Sequence, residues 1–422
     1  MRIENLRDEK SREGGRRVCA TVVWEDSERP VHELYFETDP EFDRDLTVNP
    51  HGFLLAGLMP AMWHNEQRIS IDAEICPQLR DGLKTAMALI RHWWYPKDKK
   101  LPCLEAKTRS TRLFAQHNDR RAGMFFSGGI DSLASLRKNR LLFPPQHLWS
   151  IKDGLLVFGL ETTEIDKFEH VKNALNRFTT QVGLTLIPVY TNIRYLDEDW
   201  MFWQHQFQDS VYASVAHQFS QRINVISISS TYDIPHMQPD GSHPLLDVNY
   251  SSSDLTIRHD AIQMSRLDKI KLLAEWDLGL QNIRTCNKSE LYQNGALNCG
   301  RCWKCVSAML ALMGLGVLEN SSAFPPQELS ADLVDEVIEI YKTTLCFYED
   351  LPPLLIEKGR TDLAKVIEQK IAAYERHREF NELHKAIAAI GKRWDRRFLN
   401  GNILRLKRKI QQAKMNKSSA DR

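Results

Sequence analysis

The side chains best placed for chemistry in this chain of 422 residues stand together as Ser127, Gly128, Gly129, Ile130, Asp131 and Ser132. The apolar run 122–126 before them reads as a buried strand, and 131–141 after them reads as a helix. Two glycines let backbone approach an anion with no Cβ in the way. Ser127, Ser132 and the free amides of a first helical turn donate to phosphate oxygens. Asp131 repels phosphate, so its carboxylate is expected to position Mg2+ or a neighbouring group around a pyrophosphate. A Walker A loop would carry a lysine after a longer glycine loop, and a dinucleotide loop would read GxGxxG; neither is written here. The competing reading is a ligand-free turn, since Gly, Ser and Asp are ordinary turn residues.

A second constellation lies downstream at Cys286, Cys299, Cys302 and Cys305. Two-residue gaps among the last three let their thiolates converge on one ion, Gly300 eases the turn, and Cys286 supplies the fourth ligand across a loop. Four thiolates leave no open coordination position, which makes the site a staple rather than a catalytic metal. Zn2+ is the first choice, and an iron–sulfur cluster stays open because closely spaced cysteines also serve it. A secretory leader is not expected for this chain, and neither are disulfides. Cys19, Cys76, Cys103 and Cys346 are scattered and read as small buried hydrophobes.

The order SGGxDS, several alternating elements, then a cysteine and CGxCxxC resembles the 7-cyano-7-deazaguanine synthase family of PP-loop ATP pyrophosphatases, over roughly residues 121–317. The resemblance implies an α/β fold with a PP-loop parallel sheet. It also implies adenylation of 7-carboxy-7-deazaguanine, then displacement of AMP by ammonia to give the amide and, in a second round, the nitrile. By position, Ser127, Gly128, Gly129, Ile130, Asp131 and Ser132 would hold ATP, and the four cysteines would bind zinc. The chain departs from the family pattern at Ala308, where CGxCxxCxxR carries arginine, and at Tyr250-Ser251-Ser252-Ser253-Asp254, which stands in the region of the usual YPDC-like substrate segment. The ATP half is thus better supported than the acceptor half. A paralogue that hands the activated deazaguanine to a protein or nucleic-acid amine, as in a specialised antiviral pathway, fits the same residues. Two further readings are a tRNA-modifying PP-loop enzyme and a noncatalytic nucleotide-binding module.

The elements that must position these residues alternate between strand and helix. Segments 153–159, 184–190 and 225–229 read as strands, with helices at 167–181 and 203–221 between them. A doubly wound sheet of this kind binds ligands beyond its carboxyl ends, where Ser127, 161–163, 191–192 and 229–233 all fall. His243, in a long polar segment, reads equally as a base or as a loop anchor. A helix is expected at about 258–276, and on it Arg266 and Lys269 share a face that can neutralise a departing pyrophosphate. A solvated basic face is the plainer alternative for these two and for Lys271.

The length exceeds one catalytic unit, and three domains are expected: 1–120, a β-rich α/β extension; 121–325, the PP-loop unit; and 326–422, a helical region. Strands are read at 18–24, 31–36 and 69–75, a helix or buried connection at 52–62, a helix at 79–94, and linkers at 96–100 and 116–121. Helices are read at 333–343, 363–376 and 382–398. Between residues 392 and 417 ten Lys or Arg face one acid, Asp395, a tail suited to nucleic acid or an acidic protein surface. Across the whole chain 56 basic residues balance 55 acidic ones, which excludes the global positive field of a dedicated nucleic-acid binder. No stretch reaches transmembrane length. A cytoplasmic location and a possible homodimer or protein partner complete the expectations.

Overall fold

The computed structural model describes residues 1–11, 14–110, 121–160, 164–286 and 297–398, with side chains omitted at 381 and from 385 onward. The strand-end loop 161–163, all but the last residue of the linker 116–121, and residues 399–417 of the basic tail therefore lie outside the described residues.

Among the described residues ten strands form one mixed sheet: β1 (Arg2–Lys10), β2 (Arg16–Val23), β3 (His32–Thr38), β4 (Arg68–Ile75), β5 (Cys103–Thr108), β6 (Arg121–Phe125), β7 (Ile151–Phe158), β8 (Thr185–Thr191), β9 (Ile223–Ser229) and β10 (Thr256–Asp260). Their order is β10-β9-β6-β7-β8-β3-β2-β1-β4-β5. The first five in that order are mutually parallel. Antiparallel pairing of Phe36–Thr38 with Thr191–Val189 then joins β3 to β8. Residues 1–120, expected as an added domain, thus supply five strands of the one sheet. Met1–Leu329 forms one compact unit and Ser330–Arg422 a second.

Between the strands lie α1 (Pro50–Trp63), α2 (Pro77–Trp94), α3 (Ile130–Leu142), α4 (Ile165–Gln181) and α5 (Gln208–Gln218), and after β10 come α6 (Arg266–Ala274) and α7 (Trp303–Gly314). From β6 the chain steps outward through α3 to β7 and through α4 to β8, then returns past its starting point through α5 to β9. The strand order reverses at β6/β9, and at such a switch point in a parallel sheet a ligand-binding crevice is expected at the carboxyl ends of the two strands. α1 has almost no polar face because it is enclosed on all sides: each residue from Pro50 to Met62 is buried, and the helix packs on α5. One apolar cluster runs from Met1 and Val18 through Phe53 and Leu155 to Ile257, so both halves of the sheet share a core.

Three expectations about elements differ from the structure, the first being the helix read at 333–343, which spans Ala331–Val337. The helix expected at 258–276 is β10 followed by α6. Thr256–Asp260 completes a parallel ladder on Val225–Ser229, a non-local pairing that overrides local helical spacing. Ala261 at φ 61° breaks the strand, and Ser265 starts α6 by a capping box with Asp268. The helices expected at 363–376 and 382–398 are one helix. The second unit contains α8 (Ala331–Val337), α9 (Leu351–Glu357) and α10 (Thr361–Phe398), with α8 and α9 packed on α10. Among the described residues no helix is long and apolar enough to cross a membrane.

Candidate phosphate loop and cysteine knuckle

The turn after β6 has the backbone its glycines predict. Gly128 has φ 73°, in the left-handed region, and a Cβ there would fall 2.5 Å from Leu175 Cδ2. Gly129 stands extended as the N-cap of α3, whose first-turn amides have no intrahelical acceptor. Ser127 is exposed, and its Oγ accepts from the Gly129 amide at 3.3 Å. Ser132, by contrast, is buried and donates to the Gly129 carbonyl at 3.0 Å, so it holds the turn from inside. Ile130 is buried and anchors the first helical turn in the core.

Asp131 lies in that same turn and meets two cations. Arg266 Nη1 donates to its Oδ2 at 2.8 Å, and Lys269 Nζ to its Oδ1 at 3.2 Å. Burial pushes the carboxyl upward, but Arg266 and Lys269 outweigh it and hold Asp131 below its ordinary value. Lys269 is wholly buried and also donates to the carbonyls of Ser230 and Thr231, at 2.5 and 3.2 Å. The basic pair expected from spacing is therefore assembled at the crevice, on the first turn of α6 rather than late on a helix. Lys271 is separate: it is half exposed and pairs with Asp268.

Thr191 and Asn192, also expected at the strand ends, have structural partners, whereas the buried Ser229 Oγ has none among the described residues. Thr191 Oγ1 and Asn192 Nδ2 donate to the Tyr35 and Glu33 carbonyls, which stitches β8 to β3. His243 accepts from the Leu245 amide through Nδ1 at 3.1 Å and packs on Trp93, so it caps the turn Pro244–Asp247. Ser251–Asp254 precedes β10, at the amino end of that strand and away from the loop edge.

The four cysteines meet as their spacing requires. Cys286, Cys299, Cys302 and Cys305 are buried, and their sulfurs all lie within 4.8 Å of one another. The contacts Cys302–Cys305, Cys302–Cys286 and Cys299–Cys305 measure 3.5, 3.7 and 3.9 Å. Sulfurs about 2.3 Å from a tetrahedral zinc stand about 3.8 Å apart, so the arrangement fits Zn2+. Gly300 turns the knuckle at φ 73°, Cys302 caps α7, and Cys305 lies on its first turn.

Sequence reasoning missed two residues that tie these parts together. Arg284 donates its amide to the Gly128 carbonyl at 2.9 Å and Nη1 to the Ser127 carbonyl at 3.2 Å, two residues before the first cysteine. The phosphate loop and the knuckle are thereby coupled through a single short segment. Asn298, wholly buried, accepts from the Thr285 and Cys286 amides and donates to the Ile283 and Ala323 carbonyls. Its neighbour Cys299 was a sequence signal for the knuckle; nothing in the spacing signalled Arg284.

No family model matches the chain, and no curated protein or solved structure matches it at the significance required. The functional reading therefore rests on the site.

Proposed function

We propose that the chain is an ATP-dependent carboxylate-activating enzyme of the PP-loop type, acting on a 7-deazaguanine carboxylate and releasing AMP and pyrophosphate. The observation that carries this reading is the glycine turn at the β6/β9 crevice with Arg266 and Lys269 oriented beside it by Asp131. Open first-turn amides and a fixed basic pair suit a triphosphate, and the reversal of strand order at β6/β9 is what supports this location. Both oxygens of Asp131 are engaged by basic side chains, so Mg2+ is assigned to the phosphates of ATP rather than to this carboxylate.

In the proposed step a substrate carboxylate oxygen attacks the α-phosphorus, the bond to the β-phosphate oxygen breaks, and pyrophosphate leaves with its charge met by the first-turn amides of α3 and by Arg266, with the buried Lys269 holding Asp131 and the strand-end carbonyls in place. An amine then attacks the acyl carbon, loses its proton to solvent, and expels AMP. Ammonia would give the amide, and a second activation the nitrile. A protein or nucleic-acid amine would give a conjugate. The cysteine set would hold zinc as a fastener, keeping Arg284 against the loop.

The test is to incubate the purified chain with magnesium ATP and 7-carboxy-7-deazaguanine, with and without ammonia, and to measure AMP, pyrophosphate and product mass. Substrate-dependent AMP with amide or nitrile masses supports the small-molecule synthase. Substrate-dependent AMP without them directs the search to mass added to a macromolecule, and absence of AMP rejects the reading. Asp131→Ala is expected to reduce pyrophosphate release at least about tenfold while the fold persists, because it frees two cations but opens no large cavity. Since Asp131 is held below its ordinary value, the clamp is intact at neutral pH and is lost only as pH falls through the acidic range.

A further inference from the structure

Outside the phosphate loop, three side chains converge in the interior from three elements. Asp209 opens α5, Asp247 ends the helical turn Pro244–Asp247, and His259 lies in β10. One ligand atom of each lies within 4.8 Å of the other two. His259 Nδ1 stands 2.6 Å from Asp247 Oδ2 and 4.0 Å from Asp209 Oδ2. Both carboxylate side chains are wholly buried, and among the described residues neither pairs with a lysine or arginine. Buried carboxylates lacking a full positive charge cost several kcal/mol unless protons or a cation neutralise them.

Tyr250 gives a second, independent sign. It is wholly buried, stands three positions after Asp247, and its Oη has no hydrogen-bond partner among the described residues. The oxygens of Asp209 are left without a well-formed hydrogen bond, with the Asp247 carboxyl and the Ser242 hydroxyl as their near neighbours. Native interiors seldom leave such groups unanswered, so the cluster marks a place for a group that the polypeptide does not supply.

We propose that Asp209, Asp247 and His259 form a divalent-cation site, separate from the cysteine knuckle, that takes an ion of the Mn2+ or Zn2+ class. Two carboxylates match a double positive charge. The imidazole argues against Mg2+ and Ca2+, which favour all-oxygen shells, and the absence of sulfur separates the site from the thiolate one. The ion replaces the proton shared between His259 and Asp247, which passes to solvent, so binding weakens on acidification. Bound there, it fastens α5, the 241–247 segment and β10 to one another. This inference stands independently of the adenylation reading.

The experiment measures metal content of the purified full chain and titrates it with Mn2+, following loss of the free-ion paramagnetic resonance signal. The expected result is one Mn2+ or Zn2+ per chain beyond the thiolate-bound ion, with Asp209→Asn weakening Mn2+ binding at least about tenfold. Cobalt substitution checks the variant, since intense thiolate–cobalt bands persist only where the knuckle is folded. If Asp209→Asn loses those bands as well, the wild-type count decides alone. Two ions per chain with one on thiolate support the site. A single thiolate-bound ion and an unchanged Mn2+ signal overturn it, and leave the cluster as acids neutralised by protons.

Discussion

Two strand-to-helix turns of this sheet end in opposite ways. After β4 the chain passes through Cys76 straight into α2, with Pro77 at the first helical position. The Cys76 amide is taken by His51 Nε2 at 2.9 Å, its sulfur meets the Ser253 amide and hydroxyl, and Gly82 lies against the backbone of Asn249. After β6 the chain makes two glycine steps, and Ser127 is exposed where Cys76 is buried. Both are strand–helix–strand units feeding a parallel ladder. The difference teaches that a parallel strand end becomes a candidate anion site only where the turn residues keep backbone amides accessible and nothing packs across them.

The largest effect that would sharpen this contrast is expected from Gly128→Ala at the open turn. A Cβ at φ 73°, 2.5 Å from Leu175 Cδ2, forces the turn to move. Pyrophosphate release should fall at least about 100-fold, with a stability cost of about 1–2 kcal/mol. Unchanged release, measured beside a melting curve, would break the comparison.

The sealed half carries a pH signature. Burial, with a smaller contribution from Arg109, pushes the His217 imidazole from 6.5 down to about 4. The unfolded chain therefore binds the proton first, and stability falls as pH drops from 6.5 toward 4, by on the order of 3 kcal/mol. Denaturant unfolding at several pH values should show this slope, and His217→Gln should flatten it. A smaller loss is expected from Gly82→Ala, whose Cβ would fall 2.1 Å from the Asn249 carbonyl oxygen. It should cost about 1–3 kcal/mol while release per folded molecule stays within about twofold. Parallel loss of turnover would show that the two turns are not independent. Least of all should come from Lys271→Ala: a half-exposed ion pair with Asp268 predicts a stability change within about 0.5 kcal/mol and unchanged turnover.

Much of the parallel half was legible in advance because its signals are local. Apolar runs at β6, β7, β8 and β9 marked the strands, and helical spacing marked α3 and α4. What escaped depended on partners distant in sequence. β10 looked helical because its ladder is completed by β9, and β1 and β5 carry too many charged residues to stand out as strands alone. His243 was weighed as a base from its type, yet its ring nitrogen is occupied by a cap, which residue type does not reveal.

The sequence by itself determined the two chemical constellations. Glycines at 128 and 129 prescribe a turn that few other residues adopt, and cysteine spacing within 299–305 prescribes convergence on one point, because both act over a few covalent steps. Only the tertiary structure decided that Lys269 reaches Asp131 across 138 positions, that Arg284 joins the loop to the knuckle, and that β3 fuses the amino-terminal strands to β8. Those contacts require closing long stretches of chain, and burial together with sheet hydrogen bonding across the whole fold selects which closures are made.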